Sequence, residues 1–232
     1  MILAAIAGIV LGFSLSIPPG PISVAIIRKG MEGDAEAGRL IGIGAAAIDI
    51  AYAVIAALAS SAILRGVGNF LDGSAWFELL FQIVCIGILL FLGYRYFHVT
   101  SRDLAESAEA EEQQESKARR YGATSGLMLG VFMAVMNLAN PSFLPTMIAV
   151  AGALHAEAIL TTDPLAIAGY AVGFGLGVFL WFLLLLRIVV YMRRRLPVAY
   201  FRYIFRFSGG AFYVFALIIG IRVVVATDWS AL

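Results

Sequence analysis

Two short stretches combine residue types that can do chemistry inside an apolar chain. "SIPPGPISV", residues 16 to 24, sets Pro18, Pro19 and Pro21 around Gly20. "NLANPSFLP", residues 137 to 145, carries Asn137, Asn140, Pro141 and Pro145. A proline within a helix removes one N–H donor and frees the carbonyl a turn earlier, and glycine permits dihedrals that other residues avoid. In hydrocarbon those freed groups cost several kcal/mol unless something satisfies them. Ser14, Ser16 and Ser23 around the first stretch, and Asn137, Asn140, Ser142 and Thr146 around the second, are suited to do so. Broken helix ends also attract ligands: exposed N–H groups suit a carboxylate, and exposed carbonyls suit an ammonium or another cation. Those are the two ends of an amino acid. Each cluster either lines such a site or only kinks a helix for packing.

The third chemical residue is Asp49, in "GIGAAAIDIAY", ten residues after Arg39 and so about 15 Å along a helix. It is the single acidic residue deep in an apolar run. A carboxylate there costs at least about 2.5 kcal/mol at the membrane centre, which marks it as a candidate for carrying a coupling ion. The alternative is a permanently protonated Asp49, or one hydrogen-bonded to Tyr52 or a serine, that only joins helices.

Inventory excludes several other chemistries. An intramembrane aspartyl protease needs two deep carboxylates, and a serine protease needs a histidine near the site. His98 and His155 fall at the ends of apolar runs, where an interfacial position is expected. Cys85 is the only cysteine, so there is no internal disulfide, Cys-x-x-Cys motif or thiolate cage. Neither a metal site nor a cofactor is expected, nor nucleic acid as a partner, and the chain does not read as an enzyme. Trp76, Trp181 and Trp229 lie toward the ends of apolar runs and read as interface anchors, Trp181 least clearly.

These residues must be positioned by helices in a bilayer. Of 232 residues 62% are hydrophobic and 13% charged, and the mean hydropathy is +0.94. Six runs are long enough to cross roughly 30 Å of hydrocarbon: about 2 to 27, 38 to 62, 76 to 98, 123 to 153, 164 to 190 and 204 to 226. The first lacks a basic flank and is longer than a signal-peptide core, so it reads as a retained span. Run 123 to 153 would measure about 46 Å as one helix, which agrees with a break inside it.

Lysines and arginines set the orientation. Arg28, Lys29 and Arg39 lie between spans 1 and 2; Arg95, Arg102, Lys117, Arg119 and Arg120 between 3 and 4; Arg187, Arg193, Arg194, Arg195, Arg202 and Arg206 between 5 and 6. Only Arg65 and Arg222 fall on the opposite side. The positive-inside rule then makes the three basic loops cytoplasmic and puts both termini outside. The loop at 100 to 121 mixes Asp103, Glu106, Glu109, Glu111, Glu112 and Glu115 with basic residues on strong helix formers, and reads as a solvated, partly helical cytoplasmic linker, with a regulatory surface as the other reading.

That linker divides the chain into repeats at 1 to 99 and 122 to 232. Glycines four residues apart mark span 1 (Gly8, Gly12), span 2 (Gly38, Gly42), span 4 (Gly122, Gly126, Gly130) and span 5 (Gly169, Gly173, Gly177). Spans 3 and 6 end alike, in Gly93-Tyr94-Arg95 and Gly220-Ile221-Arg222. Small-xxx-small faces let helices approach closely in lipid. With the first span of each half broken, the expected fold is an all-α membrane protein of six transmembrane helices, a 3+3 inverted repeat with broken helices 1 and 4. The substrate site then lies where the breaks meet.

With these residues in view, the chain resembles the lysine-exporter (LysE/RhtB-type) family of bacterial amino-acid efflux permeases. The likeness rests on Pro19-Gly20-Pro21 and the turn "RKGMEGDAEAG", on Gly42, Gly44 and Asp49, on "GYRYF" closing span 3, and on "GVFMAVMNLANP". It implies a secondary-active exporter of amino acids or similar small solutes in the bacterial inner membrane, coupled to entry of a proton or sodium. Pro19, Gly20, Pro21, Asn137, Asn140 and Pro141 are the expected substrate-binding residues, and Asp49 the ion-coupling residue. An ion or metal permease on the same scaffold is the alternative, followed by a non-transporting scaffold. The glycine faces would serve a homodimer or be used within one protomer.

Overall fold

The computed structural model describes residues 1–18, 20–70, 101–123, 125–139 and 143–192, together with individual positions between 80 and 98 and between 210 and 225. Every element in these residues is helical: α1 (Ile2–Ser16), α2 (Pro21–Glu32), α3 (Ala35–Phe70), α4 (Ser101–Arg120), α5 (Gly126–Met136) followed by a 3-10 turn (Asn137–Ala139), α6 (Phe143–Ala156) and α7 (Pro164–Met192).

Local chemistry explains most of the boundaries. Gly33 adopts a left-handed φ of 93°, which ends α2, and the Asp34 carboxylate then accepts from the Ala37 N–H at 3.0 Å to start α3. Ser125 caps α5 by accepting from Met128 N–H at 3.3 Å. Asp163 accepts from Leu165 N–H at 3.3 Å, with Pro164 at the first helical position of α7. Pro145 falls within the first turn of α6, where its missing N–H costs no intrahelical bond.

Residues 35–66 of α3 and 164–191 of α7 are each long and apolar enough to cross a membrane. The pairs α1 with α2 and α5 with α6 each pass the same test as one broken span, so the described residues carry up to four spans. The expected spans at 76 to 98 and 204 to 226 are described only at scattered positions. Ile43, Ile55 and Leu58 on α3, and Val172, Leu176, Leu180 and Leu184 on α7, remain exposed as apolar ridges. Facing lipid, such ridges need no further cover. This is a multi-pass membrane protein.

Glycines set the helix crossings. A Cβ at Gly8 would fall on the Tyr170 carbonyl and one at Gly12 on the Phe174 carbonyl. From the other side, Gly173 lies against the Ala5 carbonyl and Gly177 against that of Ile9. The numbers rise together, so α1 and α7 run parallel. The same holds for α5 on α3: Gly126 meets Ala37 and Gly130 meets Ile41, with Gly44 against Leu127. Between α3 and α7 the order reverses, Gly38 lying on Leu186, Gly42 on Phe182 and Gly175 on Ile50. These contacts bury Ala45, Ala53, Ala56 and Ala57 on α3 and Tyr170, Phe174, Val178, Leu185 and Val189 on α7.

The charged segment is a continuous helix. Instead of standing in solvent along its length, α4 docks on α2 and α5, burying Glu111, Glu115 and Ala118. Arg28 of α2 pairs with both glutamates, and Arg119 reaches Glu115 at 2.8 Å. Burial pushes the Glu111 carboxyl above its ordinary value, with Arg28 pulling the other way.

Candidate functional site

The first break lies between α1 and α2, whose axes differ by 74°. The last turn of α1 tightens, with Ile17 N–H donating to the Ser14 carbonyl at 3.4 Å. The Ser16 hydroxyl turns back to donate to the Gly12 carbonyl at 2.8 Å. Gly20 then stands in extended conformation as the residue before α2, and Pro21 is the first residue of that helix. Val24 N–H donates to the Gly20 carbonyl at 3.1 Å, so the N–H groups of Ile22 and Ser23 have no acceptor within the helix. Nothing lies within 4 Å of where a Gly20 Cβ would be. The head of α2 therefore combines peptide donors, the positive end of a helix dipole and open space.

The second break lies between α5 and α6, whose axes differ by 85°. It too begins with a tightened turn: the Asn137 N–H reaches back to the Ala134 carbonyl, three residues earlier, and shares Met133 and Val135. This end presents carbonyl oxygens, the negative pole of a helix.

Asp49 is buried on α3, and its helical neighbour Tyr52 is 5% exposed. Tyr52 does not hold the carboxylate as a hydrogen-bond partner. Its hydroxyl instead donates to the Ala134 carbonyl at 3.2 Å, and its ring meets Phe143, the first residue of α6, edge-on at 5.4 Å. One side chain thus touches both sides of the second break, three residues along the helix from Asp49.

Among the expected site residues, Asn137 lies at this second break, and Asp49 lies three residues along α3 from the tyrosine that touches it. Gly20 and Pro21 head α2, which packs on α3, α5 and α7. Pro19, Asn140 and Pro141 lie outside the described residues.

The expectation for Trp181 changes, while His155 falls in the last turn of α6, at the end of its apolar run. Trp181 is 6% exposed, packed edge-on against Phe13 at 5.5 Å, because it continues the buried stripe of α7 and does not reach an interface. His155 is half-buried, its Nδ1 donating to the Ala151 carbonyl at 3.0 Å and lying 3.3 Å from the Ser60 hydroxyl. Trp76 and Trp229 lie outside the described residues.

Among the described residues, two helices of spanning length and two broken pairs accompany Asp49, a carboxylate buried within one of those helices, an arrangement that suits a helical membrane transporter. Residues 13–222 match the family model of the LysE type translocators. The chain belongs to that family, and as a member it is a membrane exporter of small solutes. No curated protein and no solved structure matches it.

Proposed function

We propose that this protein is a secondary-active exporter of amino acids or similar small solutes, coupled through Asp49 to entry of a proton or sodium. The substrate would sit between the two breaks. A carboxylate suits the peptide N–H groups at the head of α2, and an ammonium suits the carbonyls that close α5. Pro19, Gly20, Pro21, Asn137, Asn140 and Pro141 shape that gap. Asp49, three residues along α3 from Tyr52, would exchange the coupling ion.

The observation that carries this reading is the matched register of the two halves. Gly8 and Gly12 precede the first break and lie on Tyr170 and Phe174, while Gly126 and Gly130 precede the second and lie on Ala37 and Ile41. Gly177 on Ile9 has its counterpart in Gly44 on Leu127. Each broken helix thus runs parallel to the second helix of the other half, as exchange about a two-fold axis in the membrane plane requires. That arrangement supports a 3+3 inverted repeat, with domains at 1 to 99 and 122 to 232 and the 100 to 121 segment between them. The arginine and lysine asymmetry supports cytoplasmic basic loops and outward termini in a bacterial inner membrane.

The test is transport by purified protein in proteoliposomes, using a radiolabelled mixture of the common L-amino acids under an imposed proton or sodium gradient. Gradient-driven movement is expected, and Asp49→Asn should reduce it to exchange without coupling. Coupled transport unchanged in Asp49→Asn would remove Asp49 from the mechanism.

A further inference from the structure

We propose that Tyr52 is a positioning residue that links Asp49 to the break between α5 and α6, its hydroxyl holding the end of one half-helix and its ring the start of the other. The inference rests on the coupling role given above to Asp49 and names the element through which that role acts.

The Ala134 carbonyl marks where regular α-helix gives way. It accepts from Asn137 through the tighter i to i−3 pattern and takes the Tyr52 hydroxyl as a second donor. In an apolar surrounding, a phenol that fills this place fixes how far α5 extends before the chain turns. Phe143 lies on the far side of the break and shares an edge-on contact with the same ring, so a shift of Tyr52 is felt at both ends.

Asp49 and Tyr52 are three residues apart on α3 and hence neighbours on one helix face, within electrostatic reach of each other. Among the described residues other charges stand off: on α3 itself Glu36 and Arg39 lie at its start and Arg65 near its end. Of the helices packed on α3, α5 carries no titratable side chain. Those on α2 are Arg28, Lys29 and Glu32, at its far end, and the one on α6 is His155, against Ser60. Those on α7 are Tyr170, Arg187 and Tyr191. Among the described residues Tyr52 is therefore the polar neighbour through which gain or loss of the Asp49 proton can reach the break.

The experiment measures amide hydrogen exchange of residues 126–139 in nanodisc-reconstituted protein, corrected for intrinsic rates, between about pH 5 and pH 8. Wild type should show a pH-dependent step in protection, up to about tenfold per pH unit for one linked proton. Asp49→Asn should abolish the step. Tyr52→Phe, which keeps the ring and removes the donor, should abolish it too, and the double variant should add nothing. In the transport assay Tyr52→Phe should keep KM and flatten the pH profile of the maximal rate.

A purely structural tyrosine would instead lower protection equally at every pH in Tyr52→Phe and leave the step in place; that result overturns the proposal, as does a wild type with no step. If Tyr52→Phe fails to fold, Phe143→Leu decides: it should retain the step in 126–139 and lose it in 143–156, and retention in both segments overturns the link. If wild type moves none of the labelled amino acids, the proposed substrate class fails, while the exchange measurement still decides the role of Tyr52.

Discussion

The Arg28 guanidinium lies 2.9 Å from the Glu111 carboxylate, joining the half-helix that follows the first break to the charged helix between the two halves. Glu111 is 1% exposed and Arg28 about one-third exposed, so the pair is buried on one side only. The same arginine pairs with Glu115, and its Nε stands 3.9 Å from Glu32. One cation thus answers carboxylates of both α2 and α4. Truncating it leaves Glu111 buried with only the weaker pull of Lys29. Arg28→Ala should loosen α4 by about 1–3 kcal/mol, below the usual cost of orphaning a fully buried charge because Arg28 is partly solvated. Faster exchange and proteolysis within 101–120, with 164–192 unaffected, is the expected result.

The same contact predicts a pH response. Glu111 has its folded-state value raised above 4.5 by burial. A raised carboxylate makes docking less favourable when ionised, so α4 should bind more tightly as the pH falls from neutral through the raised value and gain nothing further below about 4.5. Glu32 does not oppose this, because Lys29 at 2.7 Å holds its carboxyl below 4.5 through a contact within α2 that persists whether or not α4 is docked. Protection of 101–120 against exchange should therefore rise on mild acidification and level off below about 4.5. Glu111→Gln should remove the rise.

The sequence shows the two breaks plainly, because proline clusters inside apolar runs leave few backbone solutions. The glycine spacing was likewise readable, since carbonyl-to-glycine crossings need no Cβ. Asp49 stood out as one charge in a long apolar run. The docking of α4 did not show. Six acidic residues on good helix formers read as solvated, and only the spacing of Glu111, Glu115 and Ala118 along one face hints at a contact surface. Tyr52 was visible only as a neighbour of Asp49, because its acceptor is a backbone carbonyl 82 residues away and leaves no trace in side-chain pattern. Trp181 was read as interfacial from its place along the run, whereas the face it occupies decided the outcome.

Trp181 gives a prediction about an unsatisfied donor. Its indole nitrogen is buried without an acceptor, while its ring packs on Phe13. Trp181→Phe removes a donor that nothing receives and keeps much of the apolar contact, so thermal stability should change by less than about 1 kcal/mol. Trp181→Ala leaves a cavity and should cost about 3–5 kcal/mol. Melting in detergent, followed by light scattering, checks both. Loss of transport in Trp181→Phe at unchanged stability would show that the indole N–H finds its acceptor in another step of the cycle.

Glycines at the crossings and at the break should respond in opposite ways. At Gly12 and Gly130 a methyl group would meet the backbone of Phe174 and Ile41, which cannot yield without separating helices. Each Gly→Ala change there should cost about 1–3 kcal/mol and lower the melting temperature. Gly20 differs, for its φ of −119° is open to any residue and the space beside it is empty. Gly20→Ala should lose at most about 1 kcal/mol, the usual difference between these residues before a helix. Gly20→Leu should fold as well as Gly20→Ala but project into the gap that the substrate is proposed to occupy. The expected signature is near-normal melting with labelled amino-acid transport reduced about tenfold or more, equivalent to about 1.4 kcal/mol. Normal transport by Gly20→Leu would place the solute elsewhere, even with both breaks intact.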